Sequence, residues 1–244
     1  RYDNAPYGGW MEKQMATVFA GTPYAWTPIG TAQHIDVAAI PEFVQFYTTY
    51  YQPNNAILVV SGDFDPAVVR STIETYFGGY PRAAEPPRPS FTSSKPLIGE
   101  QREVIQDPKA QLPALFMSYQ GVGMTDPDMF AMDVLTEIMS SGESSRLYRS
   151  IVDSQQTAVQ VSMFNYAREY AGSLTVVGIA APGRSLDDVE AAIDAELERL
   201  VSGGVTEAEV SKAKAIIESK FVGQRLGVYD KALALADAKR FMGD

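Results

Sequence analysis

The chain has 244 residues, 45% hydrophobic and 20% charged, enough apolar side chains to build a packed core of one large or two ordinary domains. A formal charge of −10 argues against nucleic acid as partner, and the lack of cysteine excludes disulfides and thiolate metal sites. No apolar run approaches the roughly 20 residues that span a bilayer.

Taken in order, residues 10–20 carry helical spacing, with Trp10, Met11, Met15, Val18 and Phe19 near one face. A turn-rich stretch, "GTPYAWTPIG", follows. Residues 40–51 predict a second helix with Pro41 in its first turn and Phe43, Val44, Tyr47 and Tyr50 on its apolar side. Pro53-Asn54-Asn55 breaks it, and residues 56–61 read as a short buried strand. Asp65 then caps a helix that opens on Pro66 and closes at Gly78. Residues 79–99 hold five prolines and little periodicity, which predicts an extended linker over 81–99.

Strands are expected at 102–106 and 113–119, then a helix opened by Asp126-Pro127 and carrying Phe130, Val134, Leu135 and Ile138. "SSRLYRSIV" predicts a shorter helix, and 157–166 and 172–180 two further strands. Ser185 and Asp188 cap a helix that turns Val189, Ile193, Leu197 and Leu200 inward. Thr206 and Glu209 form a capping box at the head of a long last helix. The pattern is α+β.

Little here carries chemistry. His34 is the only histidine and has no G-x-S-x-G elbow beside it, so it reads as a loop residue with an ordinary hydrogen bond. One histidine without cysteine falls short of the three protein ligands of a catalytic zinc. "GVG" at 121–123 lacks the lysine and spacing of a phosphate loop. Asp187-Asp188 and Glu207/Glu209 stand at helix starts, where carboxylates satisfy free N–H groups and the dipole. Tyr47, Tyr50 and Tyr51 lie at helical spacing and read as core rather than a binding platform.

"TPYAWTPIG", an apolar helix ending in "YYQPNNAILVVSGDFD", and then "YFGGYP" resemble the pitrilysin/insulinase-type zinc peptidases, the inverzincins. "DPDMFAMDVLTEIMSSGESSRLYRSIVD" and "GGVTEAEVSKAK" continue the likeness, which covers nearly the whole chain in order. The resemblance implies two similar α/β sandwich-like lobes, each a mixed or antiparallel sheet covered by helices and each incomplete here. It places the second half of a zinc-bearing domain at 1–80, a linker at 81–99 and the first part of a C-terminal domain at 100–244. The family's H-x-x-E-H motif would lie upstream of Arg1. Arg1 and the helical "ALALADAKRFMGD" both look like cuts through a longer polypeptide, and the apolar faces of 10–20 and 207–222 are then expected bare or covered by a neighbouring chain.

The implied parent is a zinc-dependent endopeptidase that closes on unfolded peptides. No catalytic, metal-ligating or substrate-binding residue is assigned within these 244 positions, and zinc belongs to the parent alone. The alternatives are a non-catalytic subunit of the same fold and a peptide-binding or assembly domain without hydrolysis. Arg146 and Tyr148 read as structural. Many members place an arginine and a tyrosine seven positions apart after S-S-R-L, where a guanidinium and a phenol hold the scissile carbonyl. Those positions fall on Val152 and Val159, so a homologous partner subunit is expected to supply the pair in a heterodimer. The expected setting is periplasmic or otherwise extracytoplasmic, with the cytoplasm as the alternative.

Overall fold

A computed structural model describes residues 4–88 and 95–243. Its residues form two compact units that do not follow chain order. Residues 4–28 belong with 95–219, and residues 29–88 with 220–243.

The first unit is built on a three-stranded antiparallel sheet ordered β1 (Ala114–Gly121), β3 (Gly172–Ala180), β2 (Ala158–Ala167). Phe116 pairs with Val177 and Ser118 with Thr175 on one side of β3. Met163 pairs with Val176 on the other, and a bulge at Ala158/Gln160 interrupts β2. Successive strand residues point to opposite faces, so the sheet has two distinct surfaces.

One surface packs under α5 (Asp128–Ser140) and α6 (Leu186–Gly203). Met139, Leu147, Ile151, Val161, Met163, Val176, Val189 and Ile193 are buried there together. Gly178 is required in this layer, because a Cβ at that position would stand 2.5 Å from Val189 Cγ1. As predicted, Ser185 and Asp188 close a capping box on α6, and Thr206 and Glu209 close another at the start of α7 (Glu207–Gly223).

The other surface receives α1 (Trp10–Val18). Trp10 stacks on Phe116 with centroids 4.7 Å apart. Gln14 Nε2 donates to Thr175 Oγ1 at 2.7 Å, Ser118 Oγ at 3.1 Å and Ser173 Oγ at 3.2 Å. Gln120 Nε2 donates to the carbonyl of Val18 at 2.9 Å. Met15, Val18 and Phe19 are buried with Ala171. The expected bare face on this helix is therefore corrected. The chain's own sheet covers it, because β1 and β3 offer hydroxyls and an aromatic ring in register with Gln14 and Trp10.

The second unit holds α2 (Ala32–Val37), α3 (Ile40–Tyr50), α4 (Pro66–Phe77) and α8 (Val228–Asp237), and none of these helices has a buried residue. Asp65 caps α4 by accepting from the N–H groups of Ala67 and Val68 at 2.7 and 3.4 Å. Two expected strands are absent among the described residues. Segments 56–61 and 102–106 are extended or irregular and join no sheet. A strand is defined by its neighbour, and neither segment has one. Part of the proline-rich linker, residues 89–94, lies outside the described residues. The α+β class holds, with a small antiparallel sheet under helices.

Candidate functional site

The motif "SSRLYR" lies between α5 and β2 and opens a π-helical turn at Tyr148–Ser154. Leu147 and Ile151 anchor it in the core, which leaves Arg146 facing the head of α7. Its guanidinium takes Glu209 in both arms, Nε to Oε1 at 2.6 Å and Nη2 to Oε2 at 2.8 Å, and Nη2 also donates to Gly204 O at 2.9 Å. Glu209 further accepts from Thr206 N and Oγ1, each at 2.8 Å. The Arg146 guanidinium, aided by the Thr206 N–H, holds the Glu209 carboxyl down to about 2. The same bond raises Arg146 above its ordinary value. Lys212 Nζ donates to Ser144 Oγ beside this pair.

Ser144, Arg146, Glu209 and Lys212 line an open cleft of about 780 Å³. Arg149, Asp153, Glu196 and Arg199 share it, and Glu196, itself buried, has Oε1 2.9 Å from Arg199 Nη1. Cations and carboxylates are interleaved in this cleft. Arg146 commits Nε and Nη2 to Glu209 and Gly204, which ties the motif to the head of α7. Tyr148 is half-buried in the turn.

Val152 packs against the buried core, and Val159 is 48% exposed at the bulged start of β2. Neither side chain offers a hydrogen bond to a peptide carbonyl. His34 is exposed in the last turn of α2. Among the described residues no group of three His, Cys, Asp or Glu side chains could hold a metal. The residues present do not fit a zinc centre.

Sequence reasoning passed over two clusters. One is the hydroxyl face of Ser118, Ser173 and Thr175 that Gln14 bridges, whose signal is a pair of polar residues two positions apart in each strand, Ser118 and Gln120 in β1 and Ser173 and Thr175 in β3. The other surrounds Arg168, whose guanidinium carbon is 4.9 Å from the ring centroids of Tyr24 and Tyr166 and 5.8 Å from that of Phe19. Nothing in the local spacing of residues 19, 24 and 168 announces it, because the rings converge only on folding.

Residues 40–217 match the model of the family described as "Peptidase M16 inactive domain". The chain belongs to the M16 peptidase family. It is 27% identical over 238 residues to the zinc protease PqqE of Helicobacter pylori, covering 97% of this chain and 54% of that protein. The crystal structure of a protease from Helicobacter pylori superposes with a TM-score of 0.87 at 26% identity, covering 98% of this chain and 58% of that one. The M16 inactive domain from Pseudomonas fluorescens shares the fold, with a TM-score of 0.78 at 16% identity over 97% of this chain and 55% of that one. The chain thus spans about half the length of the M16 relatives it matches.

Proposed function

We propose that the chain is part of a zinc-dependent M16 metalloendopeptidase that hydrolyses unfolded peptides in a chamber closed by two similar domains. The family match over 40–217 carries this reading, supported by a relative named as a zinc protease. In this proposal residues 1–80 supply the second half of the zinc-bearing domain, 81–99 the linker and 100–244 the first part of the C-terminal domain. The zinc ligands belong to an H-x-x-E-H motif outside these residues, since the residues present do not assemble a metal site.

Val152 and Val159 support a division of labour, in which one chain brings zinc and a homologous partner brings the arginine and tyrosine. The periplasm is the proposed setting. Among the described residues no helix is long and apolar enough to cross a membrane.

The test is peptide hydrolysis by the complete gene product loaded with zinc, alone and with its homologous partner. Turnover that requires both chains supports the proposal. Full turnover by the zinc-loaded chain alone ends the division of labour. A complete product without H-x-x-E-H replaces the enzyme reading with a non-catalytic subunit.

A further inference from the structure

The cleft beside the S-S-R-L motif has a buried side and an exposed side. Ile138, Ala213 and Glu196 lie on the buried side, and Arg149, Asp153, Arg199 and Lys212 on the exposed one. Glu196 is the unusual member. A carboxylate is buried at a cost unless it is paired and hydrogen-bonded, yet this side chain is only 5% exposed. Arg199 meets that need poorly. Its Nη1 lies 2.9 Å from Oε1, but Oε1 accepts no hydrogen bond from any described residue, and the Arg199 side chain is 60% exposed. A pair of this kind, three positions apart on a helix surface, holds weakly. Arg146 is already committed to Glu209 and Gly204. A buried carboxylate oxygen without a donor therefore lines a cleft of about 780 Å³, a volume in the range of sites that take a side chain or a small molecule.

We propose that this cleft binds an arginine side chain of a polypeptide, its guanidinium seated on Glu196 in place of Arg199. The chemistry of the lining selects that occupant. A planar fork of donors matches a carboxylate better than any other side chain does. Ile138, Ala213 and Ile216 give its methylenes an apolar wall. Glu137 and Asp153 add negative charge around the seat and turn an anionic group away. Arg199 is exposed enough to swing into solvent as the ligand enters. Arg149 and Lys212, also exposed, then face the carbonyl oxygens of the bound peptide. The inference rests on the reading that the chain acts on peptides, and adds to it a preference for a basic residue.

Fluorescence anisotropy on the complete gene product, with zinc removed so that nothing is cleaved, tests it. The probes are labelled, unstructured ten-residue peptides with a central arginine, citrulline or aspartate. Citrulline keeps the shape of arginine and loses its charge. The arginine peptide is expected to bind about 10-fold tighter than the citrulline peptide, the size of one charge-assisted hydrogen bond. Glu196→Gln, which keeps the volume, removes that difference. Arg199→Ala removes the competing cation and tightens the arginine peptide about two- to fivefold. Arg199 is exposed, so this second variant keeps its fold even where the first does not. Equal binding of the arginine and citrulline peptides overturns the proposal, as does a difference that survives Glu196→Gln or an Arg199→Ala variant that binds arginine no tighter. Preference for the aspartate peptide also overturns it, by giving the cleft to Arg149 and Lys212. Restoring zinc separates this inference from the enzyme reading. An inert product that still prefers arginine keeps the inference and refutes the enzyme; an active product that binds arginine and citrulline alike does the reverse.

Discussion

Arg146 and Glu209 show how much a single pair can fix. The fork geometry joins the S-S-R-L turn to the first turn of α7 through two charge-assisted bonds. Arg146→Ala leaves a partly buried carboxylate short of partners, and the expected loss is about 1–2 kcal/mol, read as a lower denaturation midpoint. Arg146→Lys restores only part of it, since an ammonium cannot fill both arms. The pH dependence has a definite sign. The folded Glu209 carboxyl titrates at about 2, below its ordinary 4.5, so its contribution is complete above that ordinary value and is lost as pH falls toward 2. Denaturation midpoints between pH 6 and pH 2.5 should converge for the parent and the Arg146→Ala variant.

Gly178 gives a second test at this scale. Gly178→Ala drives a methyl into Val189 and should cost about 1–3 kcal/mol. Adding Val189→Ala should recover part of that loss, so the double variant is more stable than the sum of the two single losses. Equal and additive effects in a two-variant cycle would show that the strand and helix do not meet there.

At the level of elements, α1 depends on its sheet. Gln14→Ala removes an amide whose two N–H donors are shared among three hydroxyls and should cost about 1–2 kcal/mol. Trp10→Ala also removes the ring stacked on Phe116, and about 3 kcal/mol is expected. The measurement is urea denaturation followed by a signal from the sheet, and an unchanged midpoint for both variants would mean that α1 is not docked.

Much at this scale was legible. The caps at Asp65, Ser185 and Thr206 are local chemistry written in three or four residues, and β1, β2 and β3 announce themselves by composition. The partner of α1 was not legible, because Gln14 and Thr175 are 161 positions apart and nothing local records that contact. Residues 56–61 and 102–106 failed in the opposite way. Their side chains say strand, but strand is a relation between segments, and the described residues provide no second member.

For the whole molecule, the two units differ in what holds them. The first has a contiguous core between sheet and helices, while α2, α3, α4 and α8 bury no residue. Limited proteolysis should therefore cut first within 29–88 and 220–243, and leave 114–200 intact longest. Early cleavage inside β2 or β3 would contradict that order. The residues that identify the family were readable because they are turns, caps and core positions, whereas the chemistry of the family has no counterpart among the described residues.

The distance along the chain between Gln14 and Thr175 also sets a clock. During synthesis at about 5–20 residues per second, α1 emerges roughly 10–30 seconds before the strand that receives it. Trp10, Met15 and Phe19 must wait in solution for that time, whereas β2 and β3, joined by a short turn, can pair almost as soon as both exist. The nascent helix thus stays exposed until β1 and β3 have paired, and its docking covers the sheet's second face.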